Sequence, residues 1–137
     1  MKALRILPGE RRIEEIELPD DQRAVAEAIQ KALGGGAVKL PDFFDGLPNG
    51  DTLLVDFQYN TNPSEVRSRH PLPTKPPPPG WFGVVLDDNR CFGPYAGNAV
   101  VIGATPPGAT QFYGMPMQQP ASVKTTLAEL ELLVSWL

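Results

Sequence analysis

A run of prolines in the middle of the chain places the strongest limit on how it can fold. Six of the nine residues from Pro71 to Pro79 are proline, and the last four are consecutive. Proline fixes φ near −65° and has no backbone N–H to donate, so such a run fits neither a helix interior nor a central strand. The run predicts a stiff polyproline II segment inside a long loop, residues 60–80.

Three interpretations of this loop stay open. It is a rigid strap that crosses the sheet and carries Trp81 into the core, a recognition arm that docks in an aromatic groove of a partner protein, or a disordered segment. Aromatic residues and arginine usually dominate interface energies. The arm interpretation predicts partner contacts from Arg67, Arg69, Lys75, Pro76, Pro77, Pro78, Pro79, Trp81, Phe82 and Tyr95.

Two segments have the apolar spacing of amphipathic helices. Between Gln22 and Leu33 apolar residues recur every three or four positions, after helix-starting aspartates and before three glycines that suit a helix end. Near the C-terminus a leucine-rich stripe follows Thr126, which forms a capping box with Glu129. The sequence predicts helices at about residues 20–33 and 122–137.

The other apolar segments are short, rich in β-branched and aromatic residues, and bounded by turn signals. The strand candidates are Lys2–Leu7, Arg12–Leu18, Ala37–Leu40, Asp51–Tyr59, Trp81–Leu86, Arg90–Phe92 and Asn98–Ala104. A chain of 137 residues has the usual size of one domain. We therefore predict a single α+β domain, residues 1–137, with a mostly antiparallel sheet of five to seven strands, two helices and the proline-rich loop as an insertion.

Charge and hydropathy exclude some classes of partner. The net charge is −4, and no basic cluster is larger than the pair Arg11 and Arg12, so a platform for nucleic-acid phosphates is missing. No apolar run approaches the roughly 20 residues of a membrane-spanning helix. We expect a cytoplasmic protein that binds neither nucleic acid nor membrane.

The residue types that usually carry catalysis are scarce. The single histidine, His70, lies in the proline-rich loop, where nothing would hold it in a fixed geometry. The single cysteine, Cys91, lies in a predicted hairpin and is expected to be a small buried apolar residue. The aspartate pairs lie at predicted turns and match no metal-ligand spacing. We therefore expect no enzyme activity, no metal site and no cofactor.

The glycine-rich turns near Tyr95 support an alternative function. Glycines at strand ends let a backbone approach a small ligand closely. The alternative is a protein that binds or sequesters a small ligand, such as a nucleotide signal. Its expected contacts are Arg90, Gly93, Tyr95, Gly97 and Asn98.

Three stretches resemble a known family. MKALRILPG, AVAEAIQKALGGGAVKL and WFGVVLDDNRCFGPYAGNAVVIGA resemble a small α+β family of unknown function that phages, plasmids and other mobile elements encode. The resemblance covers residues 1–40 and 80–104. Its matching pieces are Asp87 to Arg90, Gly93-Pro94, Gly97-Asn98 and Val100 to Gly103.

The resemblance implies a fold and a mobile-element context, and it assigns no catalytic residue. It implies a non-enzymatic accessory protein that binds and modulates a host protein, for example one of the transcription or defence machinery, in the host cytoplasm. The sequence leaves open the identity of the partner and the oligomeric state.

Overall fold

The computed structural model describes residues 1–35, 38–39, 47, 49–60, 77–87, 90–104, 111–112, 115–116 and 120–137. The helices in these ranges are α1 (Gln22–Leu33) and α2 (Leu127–Leu133). The strands are β1 (Lys2–Leu7), β2 (Arg12–Glu17), β3 (Val38–Lys39), β4 (Thr52–Asp56), β5 (Trp81–Asp87), β6 (Arg90–Ala96), β7 (Ala99–Ala104), β8 (Gln111–Phe112), β9 (Met115–Pro116), β10 (Pro120–Ala121) and β11 (Val134–Trp136). The predicted α+β class is confirmed.

The strands form two main sheets in the described part of the chain, whereas the sequence predicted one. A six-stranded sheet has the order β2-β1-β7-β4-β3, with β10 also paired to β7. A three-stranded sheet has the order β11-β5-β6, and β8 and β9 form a separate short pair. All of these pairings are antiparallel. The second sheet arises because β5 pairs with β6 and the C-terminal β11.

The middle strands of the six-stranded sheet are apolar on both faces. In β4, Leu53 and Val55 belong to one buried cluster and Leu54 to another. In β7, Val100 and Val101 divide between the two clusters in the same way. Successive side chains of a strand point to opposite faces, so this sheet needs a covering layer on each side.

Helix α1 covers the first face. Its buried residues Val25, Ile29 and Leu33 pack in one cluster with the residues from that face. The side chain of Asp21 accepts a backbone N–H bond at the helix start, 2.9 Å long. Gly34 ends the helix with a φ of 110°, a conformation that glycine adopts at little cost. The predicted first helix is confirmed.

The three-stranded sheet and α2 cover the second face. Phe82 and Val84 of β5 and Leu130 of α2 are buried in the same cluster as Leu53 and Val101. This second layer brings the aromatic stretch that follows the proline run into the fold.

The C-terminal helix is shorter than the sequence predicted. It begins after Thr126, whose hydroxyl accepts the N–H of Glu129 as the capping box requires, but it ends at Leu133. Val134–Trp136 pair as a strand with β5. Val134 and Trp136 both pack against the core from β11, because alternate residues of a strand share a face. Valine and tryptophan also favour strands.

A buried carboxylate fixes the segment that leads into α2. Asp51, at the start of β4, has no exposed surface, and it accepts the N–H of Thr125 at 2.7 Å and that of Lys124 at 3.1 Å. It also accepts the Thr125 hydroxyl. Asn49 adds a bond from its amide to that hydroxyl, 2.8 Å long. The carboxylate thus joins the six-stranded sheet to the chain that enters α2.

We expect Asp51→Ala to lower the free energy of unfolding by about 2–4 kcal/mol, because buried donors lose a charged acceptor. Urea unfolding followed by circular dichroism measures the change. The matched control, Glu131→Ala, removes an exposed carboxylate from α2 and should change stability by less than about 0.5 kcal/mol. Equal effects of the two substitutions would contradict the role given to Asp51.

Candidate functional site

The solvent-facing side of the three-stranded sheet is the candidate interaction surface. Phe82 and Val84 face the core, so the alternate residues Trp81, Gly83 and Val85 face the other way. Antiparallel partners share a face, which places Cys91 beside Val85. We call this side the outer face, and it consists of Trp81, Gly83, Val85, Cys91, Ser135 and Leu137.

Apolar side chains dominate the outer face. Trp81 is 43% exposed, Val85 39% and Leu137 63%. A Cβ placed on Gly83 would lie 3.8 Å from a methyl carbon of Leu137 and 3.9 Å from the sulfur of Cys91, so both side chains border the glycine. The six named residues of the outer face have uncharged side chains.

Two expectations from the sequence are wrong here. The strap interpretation placed Trp81 in the core, but Phe82 is the buried residue and Trp81 is exposed. Neighbouring residues of a strand point to opposite faces, so both cannot face the core. Cys91 was expected to be buried, but it is exposed because its cross-strand partner Val85 also faces solvent. Both residues belong to the surface.

The other two aromatic residues predicted as partner contacts, Phe82 and Tyr95, pack on the core side of the sheet. Phe82 is fully buried, and its ring lies 5.6 Å from that of Tyr95, centroid to centroid, at an angle of 51°. Tyr95 is partly buried against the same core. A tilted aromatic pair of this kind stabilises the sheet. Phe82 is therefore a core residue, whereas its neighbour Trp81 lies at the surface.

The end of the proline run is seated on the β1–β2 turn. A Cβ on Gly9 would lie 3.0 Å from Cβ of Pro79, and a Cβ on Gly80 would lie 2.7 Å from the carbonyl carbon of Pro8. A side chain at Gly80 would clash with the Pro8 backbone, and a side chain at Gly9 would crowd Pro79. Pro77 and Pro79 are exposed and Pro78 is partly buried. Arg67, Arg69, Lys75, Pro76 and the rest of 61–76 lie outside the described residues, as does His70.

The glycines of the alternative ligand site have structural roles. Gly93 has a φ of 111°, and a Cβ there would lie 3.1 Å from the carbonyl oxygen of Phe82. Gly97 has a φ of 78°, and a Cβ there would lie 2.8 Å from the Tyr59 ring. The space over each glycine is filled by the protein itself. Both positions therefore need glycine for close packing, and Gly93 is exposed whereas Gly97 is buried.

An asparagine joins the two sheets next to these glycines. The Asn60 amide donates to the carbonyl of Asp56 at 2.8 Å and to that of Ala96 at 2.9 Å. Its carbonyl accepts the N–H of Ala96 at 2.9 Å. Asn60 thus pairs with Ala96 as a neighbouring strand would. The sequence alone does not single out Asn60, because an asparagine after a strand also fits an ordinary turn.

The other two residues predicted for the alternative ligand site, Arg90 and Asn98, lie at opposite ends of β6. Arg90 is exposed at the start of β6. Asn98 lines a depression of about 350 Å³ at the opposite end of that strand, together with residues of the β1–β2 hairpin and Pro79. This depression is a second feature that could hold a small molecule.

A comparison of two glycine substitutions tests the structural role of Gly97. Gly97 and Gly50 both have a positive φ, but a Cβ at Gly50 would meet no atom within 4 Å. We expect Gly50→Ala to lower stability by about 1 kcal/mol through backbone strain alone, and Gly97→Ala to lower it further by displacing Tyr59. Thermal unfolding measures both. Equal losses would contradict the packing role of Tyr59.

Comparisons with other proteins leave the resemblance as a hypothesis. No protein-family model, no curated protein and no solved structure matches the chain. Neither helix of the described residues is long and apolar enough to cross a membrane. Within those residues, no three acidic, histidine or cysteine side chains group in a way that could hold a metal ion.

Proposed function

We propose that this chain is a non-enzymatic accessory protein, of phage or mobile-element type, that binds and modulates a host protein. The observation that carries the proposal is the outer face. Trp81, Val85 and Leu137 are exposed on one side of a sheet whose other side is fully used by the core. Contiguous apolar patches on a protein surface mark interaction sites.

The composition of the outer face favours a protein as the partner. A nucleic acid requires clustered basic side chains, whereas Trp81, Val85 and Leu137 are apolar and the chain has a net charge of −4. Tryptophan is enriched among residues that contribute most to protein interfaces, and charged residues are depleted at interface centres. The occupant we propose is an apolar patch of a host protein.

The proline run supplies the edge of this surface. Pro79 and Gly80 are held on the β1–β2 turn, and Trp81 follows directly. Pro77, which is exposed, lies two residues before Pro79. A polyproline II segment, as the sequence predicts for this run, loses little conformational entropy when it binds, which suits recognition.

The mobile-element setting rests on the resemblance of residues 1–40 and 80–104. An accessory protein that acts in the host cytoplasm fits the expected absence of catalytic residues, cofactors and metal ligands. The function we propose is modulation of a host component, with transcription or defence machinery as examples.

The test uses three baits in a host lysate: the native chain, Trp81→Ser/Val85→Ser, and Leu132→Ser. Leu132 is the matched control, because it is an apolar residue of α2 that is 86% exposed. We expect a stoichiometric partner to bind the native chain and the Leu132 variant but not the double variant. With the purified partner, Trp81→Ala should weaken binding by at least about tenfold, the range of a dominant interface residue.

Circular dichroism and thermal unfolding must first show that all baits fold. A fourth bait, with Pro71 to Pro78 replaced by a Gly/Ser linker of equal length, keeps the contacts of Pro79 and Gly80. Loss of the partner from this bait assigns a recognition role to the prolines, and retention assigns them a structural one. A partner that binds the double variant as tightly as the native chain would contradict the proposed interface.

A further inference from the structure

We propose that the depression at the β1–β2 turn binds a small organic anion, with its phosphate or carboxylate group on Arg5 and Arg12. The depression measures about 350 Å³, at the lower end of the range for ligand pockets. It is lined by Arg5, Leu7, Gly9, Glu10, Arg12, Pro79 and Asn98. This site is separate from the outer face, and its existence does not depend on the proposed function.

Strand alternation brings these side chains to one face of the six-stranded sheet. Leu4 and Ile6 point toward the three-stranded sheet, so Arg5 and Leu7 point to the side that α1 covers. Arg12 is the cross-strand partner of Leu7 and shares its face. The depression therefore lies on the same side of the sheet as α1, at the end where the hairpin turns.

The two arginines that line the depression supply the positive charge for an anion. Two carboxylates contact them: Glu10 contacts Arg12, and Glu14 lies 3.3 Å from Arg5 Nη1 and 3.4 Å from Arg12 Nη2. The bond from Arg12 to Glu10 is 3.0 Å long, but the two side chains are 57% and 61% exposed. An exposed ion pair of this kind contributes little to stability, so a ligand anion can replace Glu10 on Arg12.

Arg5 has an unused donor next to this site. Its Nη1 contacts Glu14 at 3.3 Å, whereas its Nε is buried and has no hydrogen-bond partner among the described residues. A guanidinium is always charged, and its planar fork matches the two oxygens of a carboxylate or phosphate. The proposal places this unpaired edge against the anion, which requires the Arg5 side chain to move because Nε is buried.

The remaining groups can hold the body of the ligand. Leu7 and Pro79 supply apolar surface, and Asn98 supplies an amide. The close packing of Pro79 on Gly9 fixes one wall relative to the other. The site thus fits a small molecule that combines a ring with one anionic group.

Isothermal titration of the full chain tests the proposal at constant ionic strength, since salt screens such contacts. The probes are adenosine 5′-monophosphate, which carries a phosphate, benzoate, which carries a carboxylate, and adenosine, which carries neither. We expect at least one of the two anions to bind about tenfold or more tightly than adenosine. The anion that binds identifies the preferred group.

Substitutions then locate the binding site. Arg12→Gln should weaken binding of that anion about tenfold, and Glu10→Gln should tighten it, because Glu10 competes for Arg12. Arg11→Gln is the matched control, since Arg11 is adjacent but does not line the depression. The proposal is overturned if neither anion binds more tightly than adenosine, or if Arg11→Gln and Arg12→Gln weaken binding equally.

Discussion

The fold depends on one constraint: the middle strands of the larger sheet are apolar on both faces. Leu53 and Leu54 are adjacent in the chain, and each is buried in a different cluster. Burial of apolar surface is the main favourable term in folding, so neither face can remain in water. Helix α1 covers one face, and the three-stranded sheet with α2 covers the other. The places of α1, α2 and the three-stranded sheet follow from this requirement.

The three-stranded sheet buries only one of its two faces. It uses one face to bury Phe82 and Val84, and the described elements leave Trp81, Val85 and Leu137 exposed on the other. Hydrogen bonds from two polar side chains hold this layer in place. Asp51 binds the segment before α2, and Asn60 pairs with Ala96 at the end of β6. We propose that this layer, held at two points, binds another protein through its exposed apolar residues with little rearrangement.

The sequence predicted the helices and caps, which depend on local residue patterns. It did not predict the features that depend on pairing between strands far apart in the chain. The first helix followed from its apolar period and from Gly34, and the capping box at Thr126 was also recognised. The helix ended early because Val134 and Trp136 pair with β5, some fifty residues away in the chain. The exposure of Trp81 and Cys91 depends on which face of β5 meets the core, and local composition does not encode that choice. The depression depends on the approach of Pro79 to Gly9, two residues far apart in sequence.

The most direct test of the central claim uses Cys91 as a reporter, because this single cysteine lies on the outer face and is exposed. The rate of its alkylation by N-ethylmaleimide should be measured in the free chain and in a complex with the purified partner. The account predicts that the rate falls in proportion to the fraction of chain bound, since the partner covers the sulfur. An unchanged rate in a fully saturated complex would show that the partner binds elsewhere.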